Sequence, residues 1–259
     1  AATGVKEIIL TGVNVGYFGG NPNETFLSLI QTIDSLPIEE NKNGIDVLRF
    51  RISSVEPNLL TDEIIEFVAS SKRFVPHFHI PLQSGSDKIL RHMRRRYLRE
   101  LFAARVQKIK SLMPYCCIGA DVIVGFPGET EKDFLDTYNF IDGLNISYLH
   151  VFTYSERKNT DALKIKEVVP QEERKRRNKM LRILSAKKQS MFYKQNIVTE
   201  RTVLFESENK NGFIFGFTEN YIKVKTKYNS KLENTLVKVK LENIDVNDMR
   251  LSVICNFVF

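Results

Sequence analysis

Apolar segments with strand spacing alternate with apolar segments with helix spacing over the first 166 residues. The strand-like segments end in polar loops rich in Gly, Ser, Asn or Pro, and they comprise residues 5–10, 45–52, 77–80, 120–124 and 146–154. Apolar residues at helical spacing lie between them, in residues 26–33, 61–68, 97–112 and 134–138. This alternation predicts an α/β fold with a parallel sheet, either a (β/α) barrel or part of one.

The segment 120–130 is the clearest strand, turn and helix junction in the chain. Apolar residues run directly into Gly125, Pro127 and Gly128, which predicts a buried strand that ends in a tight turn. Thr130 and Asp133 then have the spacing of a capping box at a helix N-terminus. In parallel α/β proteins such junctions lie where ligands bind, so backbone amides here are placed to meet a cofactor.

Residues 167–196 predict one long helix with a strongly basic first half. For this basic face both a solvated surface and an RNA contact are open interpretations. From residue 200 the pattern changes to short alternating strands, namely 202–205, 212–217, 221–227, 235–241 and 250–254, separated by Asn and Gly turns. We therefore divide the chain into an α/β part (1–166), a connecting helix (167–199) and a small antiparallel β-barrel (200–259).

The overall charge is +7 and the isoelectric point about 9.2, which is typical of nucleic-acid binders but also of basic cytosolic proteins. No apolar run is long enough to span a bilayer and the start has no signal-peptide pattern, so we expect a cytoplasmic protein without a membrane partner. The three cysteines, Cys116, Cys117 and Cys255, form no metal motif and are predicted to be core thiols. The chain begins with Ala1, not Met, close to a predicted strand, and we interpret it as part of a longer protein.

Four ordered segments resemble the radical S-adenosylmethionine (SAM) methylthiotransferases. They read HIPLQSGSD at 79–87, MRRRY at 93–97, DVIVGFPGET at 121–130 and FTYSER at 152–157, and the last 60 residues resemble the TRAM domain that ends those proteins. Segments 11–16 (TGVNVG), 51–57 (RISSVEP) and 94–97 (RRRY) are most similar to the branch that modifies N6-threonylcarbamoyladenosine beside the tRNA anticodon. Two sister branches, which act on isopentenyladenosine in tRNA and on an aspartate of a ribosomal protein, remain alternatives.

The resemblance implies a radical reaction that replaces an adenine C–H bond at position 37 of tRNA by C–S. It implies SAM as cofactor, two [4Fe-4S] clusters in the full-length protein, an electron donor, and the tRNA anticodon stem-loop as partner; we expect a monomer. The protein's task would be to position the cofactor and exclude solvent.

The resemblance also implies a set of cofactor-binding residues. Thr11, Gly12 and Asn14 would meet the methionine amino group, and Arg94 or Arg95 the methionine carboxylate. The rest of the cofactor would contact Ser53, Ser54, Glu56, Gln83, Ser84, Val124, Gly125, Phe126, Phe152 and Tyr154, with Val124, Gly125 and Phe126 against the adenine. The predicted RNA-binding residues are Arg157, Lys223, Lys225, Lys227, Lys238 and Lys240.

Simpler interpretations exist for several of these residues. Ser53 and Ser54 could cap the following turn, Tyr154 could be a core residue, and structural salt bridges could explain Arg94 and Arg95. Period-two alternation places the barrel lysines on outer rows, where they could bind phosphate or only keep the surface soluble. Of His77 and His79, at least one is expected to face the core.

Two departures from the family pattern stand out. The sequence contains no Cys-x-x-x-Cys-x-x-Cys, the three-thiolate motif that holds the cluster of radical SAM enzymes, so we expect this stretch of chain alone to be inactive. Asn159 stands where relatives usually carry Gly, and Asn can also adopt the left-handed conformation. The alternative to an enzyme is an RNA-binding protein that has lost the cluster.

Overall fold

The computed structural model describes residues 4–19, 24–37, 48–245 and 252–257, and the statements below refer to those residues. Its first part contains five strands: β1 Glu7–Leu10, β2 Arg49–Ile52, β3 His77–His79, β4 Cys117–Val124 and β5 Tyr148–Thr153. The helices are α1 Phe26–Ser35, α2 Asp62–Ser70, α3 Asp87–His92, α4 Arg99–Leu112, α5 Glu131–Gly143 and α6 Gln171–Asn196. The predicted alternation is therefore confirmed; positions 45–47 of the second predicted strand lie outside the described residues.

All pairings among these five strands are parallel. β1 pairs with β2, and β4 lies between β3 and β5. Parallel bridges between Phe50 and Phe74 and between Ser54 and His79 connect the two groups, so the strands follow each other in chain order. Phe78 and Val122 on one face of the sheet pack with the helices in a single apolar core. The opposite face carries polar residues.

The junction after β4 has the predicted geometry. Gly125 and Gly128 have φ angles of +76° and +81°, a region that glycine adopts without steric cost. The Thr130 side chain accepts a hydrogen bond from the Asp133 amide, and the Asp133 side chain accepts one from the Thr130 amide, which completes the capping box. This pair fixes where α5 begins.

The predicted helical region 97–112 begins two residues later than expected. Arg94 has φ of +54°, so the chain breaks between α3 and α4 instead of running into the second helix. Tyr97 lies in this break, is 4% exposed, and donates a hydrogen bond from its hydroxyl to the Pro81 carbonyl at 2.8 Å. Tyr97 therefore fits the helical spacing of the sequence but lies outside the helix, where its hydroxyl contacts Pro81.

The C-terminal part is a closed five-stranded barrel. Its strands are β6 Glu200–Lys210, β7 Phe213–Thr218, β8 Lys223–Lys227, β9 Leu236–Asp245 and β10 Ser252–Phe257, in the order β10-β8-β7-β6-β9. The predicted purely antiparallel barrel is wrong in one respect, because β10 pairs with β8 in parallel where the barrel closes. The predicted strand 250–254 is observed from Ser252 onward; positions 250 and 251 lie outside the described residues.

Two buried arginines of β2 attach the barrel to the sheet. Arg49 donates to the carbonyl oxygens of Thr202 and Phe217 at 3.1 and 3.0 Å, and Arg51 donates to that of Glu219 at 3.2 Å. The Glu7 carboxylate on β1 contacts both guanidinium groups, at 2.5 and 3.0 Å. Burial alone would raise the pKa of Glu7, but hydrogen bonds and charge from both arginines outweigh burial and lower it.

The basic residues of α6 are largely engaged within the protein. Arg174 and Arg177 are 5% and 4% exposed, and Arg177 pairs with the buried Glu129 at 2.7 Å. Arg176 contacts Glu131 at 2.7 Å. These arginines hold α6 against the turn after β4, a role that neither interpretation of the basic face included. None of the described helices is long and apolar enough to cross a membrane.

Candidate functional site

A cavity of about 630 Å³ lies at the carboxyl ends of the parallel strands. It brings together six residues that the sequence predicts as cofactor-binding, namely Asn14, Ser54, Glu56, Gln83, Arg94 and Arg95. Asn14, Ser54, Glu56 and Gln83 come from the loops that follow β1, β2 and β3, whereas Arg94 and Arg95 come from the break between α3 and α4. Because parallel strands end at one edge of the sheet, residues far apart in sequence line the same cavity.

Arg95 is the most informative side chain in this cavity. Its guanidinium contacts Glu56 at 3.0 Å, while its Nε atom is buried and has no hydrogen-bond partner among the described residues. A buried N–H without a partner is destabilising unless a ligand accepts from it. Arg94, by contrast, is 78% exposed along its side chain and pairs with Asp161 at 2.8 Å on the rim.

The backbone around Gln83 is held in an uncommon conformation. Gln83 has φ of +68°, which is rare for a residue with a side chain. Its amide donates to the Asp121 carbonyl at 2.8 Å, and its carbonyl accepts from the Ile123 amide at 2.9 Å. These contacts with β4 fix the loop after β3 where it lines the cavity.

Several predicted cofactor-binding residues do not line this cavity. Thr11 and Gly12 are exposed in the loop after β1, and Phe152 is 52% exposed on β5. The Ser53 amide donates to the Leu10 carbonyl at 3.0 Å. Ser84 is fully buried and its hydroxyl lies 3.1 Å from that of Thr137 on α5, so it connects the loop to a helix instead of facing the cavity.

The predicted adenine wall forms a second, tightly packed cluster. Val124 is fully buried, and Phe126 packs edge-to-face with Tyr154 at a centroid distance of 5.3 Å. A Cβ on Gly125 would lie 2.3 Å from Cγ of Arg174, so glycine is required here by α6. The Tyr154 hydroxyl is buried without a partner among the described residues, whereas its ring faces the Arg174 guanidinium at 5.4 Å.

Sequence reasoning missed the cluster of His79, Asp121 and His150 on the polar face of the sheet. His79 Nε2 and His150 Nδ1 lie 2.9 and 3.4 Å from the same oxygen, Oδ1 of Asp121. Burial works to raise the pKa of Asp121, but hydrogen bonds from His150 and His79 outweigh it and hold the pKa well below its usual range. The three residues lie on the adjacent strands β3, β4 and β5. In the sequence they could have been found as polar residues within otherwise apolar strands.

Both histidines of β3 are buried, but on the sheet face opposite Phe78 and the helix-packed core, so the expectation that at least one faces the core is wrong. His77 stacks on Tyr221 of the barrel at 4.5 Å, and its Nε2 lies 3.1 Å from the Tyr148 hydroxyl. Burial and the nearby Arg51 lower the pKa of His77 well below its ordinary value. A neutral His77 therefore belongs to the contact between sheet and barrel.

The cysteines are core thiols, as predicted. All three are buried and free, and burial raises the pKa of Cys117 and Cys255 to about 12 and that of Cys116 further. Iron–sulfur clusters bind thiolates. Buried, protonated thiols distributed over two parts of the molecule do not fit a cluster site.

The predicted RNA-binding lysines have different surroundings. Lys225 forms an ion pair with Asp245, Lys223 lies over the Phe215 ring at 4.6 Å, and Lys238 contacts Glu200 at 3.1 Å. Lys227, Lys240 and Arg157 are exposed. The alternation that placed the β8 lysines on the outside of the barrel is confirmed.

Comparison with known proteins places this site in a family. Residues 1–141 match the Radical SAM superfamily, and the chain belongs to that superfamily. Coproporphyrinogen III oxidase from Escherichia coli, described as a radical SAM enzyme, has a similar fold, with a TM-score of 0.51 at 17% identity over 74% of this chain and 40% of the oxidase. Membership implies SAM and a [4Fe-4S] cluster as the cofactors.

Two groups of tRNA-modifying proteins match most of the chain. The threonylcarbamoyladenosine tRNA methylthiotransferase MtaB of Bacillus subtilis is 40% identical over 244 residues, which are 92% of this chain and 52% of that protein. The tRNA-2-methylthio-N(6)-dimethylallyladenosine synthase of Clostridium botulinum is 38% identical over 214 residues, 80% of this chain and 45% of that protein. The chain thus spans about half the length of the curated relatives it matches.

Proposed function

We propose that the protein containing this chain is a radical SAM tRNA methylthiotransferase. Its substrate would be N6-threonylcarbamoyladenosine at position 37, next to the anticodon, where C2 receives the methylthio group. The observation that carries this proposal is the 40% identity to the Bacillus subtilis methylthiotransferase over 92% of the chain. The cavity at the strand ends supports it, because predicted cofactor residues from four separate connections of the chain meet there.

Within this proposal the 630 Å³ cavity holds SAM. Arg95 donates its unpartnered Nε–H to the methionine carboxylate, and Asn14, Ser54, Glu56 and Gln83 surround the polar parts of the cofactor. A charge-assisted hydrogen bond from a guanidinium suits a carboxylate well. The residues of this chain would orient SAM and exclude water, and SAM, when bound, would supply the radical chemistry of the superfamily.

The three cysteines of this chain are buried and do not fit a cluster. We propose that two [4Fe-4S] clusters and their ligands belong to the full-length protein, with an external electron donor. We further propose that residues 1–166 are part of a radical SAM (β/α) barrel, that 167–199 connect it to the next unit, and that 200–259 are a TRAM-like RNA-binding barrel. The protein would act as a cytoplasmic monomer on the anticodon stem-loop.

The proposal is tested by nucleoside analysis of tRNA from a strain without the gene. We expect the methylthio group to disappear from threonylcarbamoyladenosine and to return when the full-length gene is restored. Unchanged methylthiolation of that nucleoside in the deletion strain would refute the assignment.

A second candidate is the sister activity on isopentenyladenosine, which the 38% identity to the Clostridium botulinum synthase favours. The same nucleoside analysis separates the two, because loss of the methylthio group from isopentenyladenosine alone would assign the sister substrate.

The coding sequence upstream of Ala1 distinguishes the enzyme from a non-catalytic RNA-binding protein. If the roughly fifty codons before Ala1 encode the motif Cys-x-x-x-Cys-x-x-Cys, about one strand and its loop upstream, the result supports the enzyme.

A further inference from the structure

The side chains of His79, Asp121 and His150 converge on the polar face of the sheet. His79 lies on β3, Asp121 on β4 and His150 on β5. In the parallel register Asp121 is the partner of His150, and His79 is the partner of Gly119, two positions before Asp121. Because alternate residues of a strand point to the same face, the three side chains share one side of the sheet. We call these three residues the His–Asp–His cluster.

The spacing of the donor atoms in the His–Asp–His cluster suits a single metal ion. His79 Nε2 lies 2.9 Å and His150 Nδ1 lies 3.4 Å from the same atom, Oδ1 of Asp121. One donor atom from each side chain lies within 4.8 Å of the donor atoms of the other two. Donors bound about 2.1 Å from one ion at tetrahedral angles lie about 3.4 Å from each other. Both contacts with Asp121 are close to that separation, and the 55% exposed side chain of His150 has room to turn toward His79.

The surroundings of His79 leave Nε2 as its metal-binding nitrogen. His79 is 8% exposed, and its Nδ1 lies 3.5 Å from the Tyr148 hydroxyl. A histidine that binds a metal through one ring nitrogen usually donates its other N–H to a fixed oxygen, which orients the ring. The Tyr148 hydroxyl is that oxygen here, and it can donate in turn to Nε2 of the neutral His77 at 3.1 Å. Tyr148 is therefore a positioning residue for His79.

The His–Asp–His cluster leaves space for an exchangeable ligand. Asp121 lines the cavity at the strand ends, and its side chain is 22% exposed. Zinc sites with three protein donors keep a fourth position for water or another ligand. Such a position would face the cavity, because the buried His79 covers the ion from the side of the barrel.

The chemistry of the donors indicates which ions fit. Two imidazole nitrogens and one carboxylate oxygen suit Zn²⁺ and similar first-row divalent ions, whereas Mg²⁺ and Ca²⁺ prefer oxygen donors. The cluster contains no thiolate, so it is unsuited to an iron–sulfur cluster. Within the described part of the chain, no other three side chains of His, Cys, Asp or Glu come close enough to share one ion.

We propose that His79 Nε2, His150 Nδ1 and Asp121 Oδ1 bind one first-row divalent metal ion, with Zn²⁺ as the representative ion. The open position of the ion takes an oxygen or nitrogen donor of a ligand in the cavity at the strand ends. This inference goes beyond the proposed function and does not depend on it, because it uses only the donor atoms and their spacing. The nucleoside analysis therefore decides the function whatever the outcome at this site.

The test measures zinc in the full-length protein with its iron–sulfur clusters loaded. Protein equilibrated with Zn²⁺ and then dialysed against metal-free buffer is analysed for zinc and iron by mass spectrometry. We expect about one zinc per chain in the unaltered protein and only a small fraction of that in His150→Ala and Asp121→Asn. His92→Ala, at an exposed histidine of α3, is the matched control and should retain the zinc.

X-ray absorption at the zinc edge identifies the donors without interference from iron. We expect nitrogen and oxygen donors at about 2.0 to 2.1 Å, with the multiple scattering of imidazole rings. Sulfur donors at about 2.3 Å would instead place the zinc on cysteines and overturn the assignment.

Tyr148→Phe tests the orientation of His79 separately. We expect zinc affinity to fall about tenfold with the same donors, because the ring loses its fixed partner but no ligand is removed. Unchanged zinc affinity in this variant would remove the positioning role from Tyr148.

Circular dichroism and thermal unfolding of each variant check that it is folded, and His150→Ala changes an exposed side chain. The inference is overturned if the unaltered protein retains no zinc, or if His150→Ala and Asp121→Asn retain as much as the unaltered protein. The His–Asp–His cluster would then be only a hydrogen-bonded contact between three strands.

Discussion

At the scale of single residues, the cavity at the strand ends contains a donor group that has no hydrogen-bond partner among the described residues. Arg95 uses one nitrogen on Glu56 and leaves Nε buried without an acceptor. Asp121, in contrast, is an acceptor that has partners within the protein, because His79 and His150 both contact its Oδ1 atom. A donor and an acceptor prepared in this way are expected where a polar ligand completes the hydrogen bonding.

Replacing Arg95 by Ala should weaken SAM binding by about tenfold or more, because the proposed charge-assisted hydrogen bond to the methionine carboxylate would be lost. Isothermal titration of the full-length protein with SAM measures this change. Arg91→Ala, at an exposed arginine on α3, is the control and should bind SAM normally. Equal affinity of the two variants would remove Arg95 from the cofactor site.

Asp133 predicts a specific pH dependence of stability. Burial alone would raise its pKa, but hydrogen bonds from Lys88, Thr130 and Ser86 outweigh burial and lower the pKa to about 2. A lowered folded-state pKa stabilises the fold above the unfolded pKa near 4, and this stability is lost as pH falls toward 2. The contribution is about 2 kcal/mol at neutral pH.

The measurement is urea unfolding of the native protein and Asp133→Asn between pH 2 and 6. The variant should be less stable near neutrality and should lose less stability as pH falls. Asp136→Asn, on the same helix but outside this hydrogen-bond network, should show the same dependence of stability on pH as the native protein. If the stability of Asp133→Asn depended on pH as steeply as that of the native protein, the role of Asp133 would be contradicted.

At the scale of elements, the long helix α6 holds the turn after β4. Glu129 and Arg177 form an ion pair at 2.7 Å with side chains only 1% and 5% exposed. Glu129 also accepts from the Gly125 amide at 2.7 Å, so the pair fixes the turn that follows the strand. Burial raises the pKa of Glu129, and these contacts offset only part of that rise.

Arg177→Met should destabilise the protein by about 3 kcal/mol, because it leaves the Glu129 carboxylate buried without its partner. Chemical denaturation measures this change in the free energy of unfolding. Adding Glu129→Gln to this variant should restore part of the lost stability, because the buried charge without a partner is then removed. Arg176→Met, at the neighbouring but half-exposed pair with Glu131, should cost less than about 1 kcal/mol.

At the scale of the whole molecule, the barrel is attached to the sheet through buried arginine side chains and an aromatic stack. Arg49 and Arg51 donate to carbonyls of the barrel, and Tyr221 stacks on His77. These contacts hold the barrel, with the lysines of β8, beside the polar face of the sheet. Under the proposed function, the barrel surface that carries these lysines would bind RNA.

If this surface binds RNA through phosphates, the affinity for an anticodon stem-loop should fall steeply as salt is added. Charge reversal at Lys223 and Lys227 should lower the affinity and reduce the slope of log K against log salt by about 1 to 2. Filter binding at several salt concentrations provides the data, with Lys132→Glu on α5 as control. Salt-independent binding would contradict phosphate contacts at these lysines.

The sequence by itself determined the order and type of the elements. Period-two and helical spacing are local properties, and so are capping boxes, which explains why the junction from Gly125 to Thr130 was predicted closely. The break before α4 was not predicted, because Tyr97 fits the helical spacing and leaves the helix for a contact with Pro81. The parallel closure of β10 on β8 likewise depends on a pairing that no local pattern encodes.

Only the tertiary structure decided which candidate side chains share a cavity. Asn14, Ser54, Glu56 and Gln83 meet because parallel strands end at one edge, and the break between α3 and α4 adds Arg94 and Arg95. Ser84 instead faces α5, and Gly125 faces Arg174. The cluster of His79, Asp121 and His150 forms across three strands whose register is set by packing, not by sequence spacing. Local periodicity therefore determined the strands and helices of this protein, and long-range packing decided where its chemistry lies.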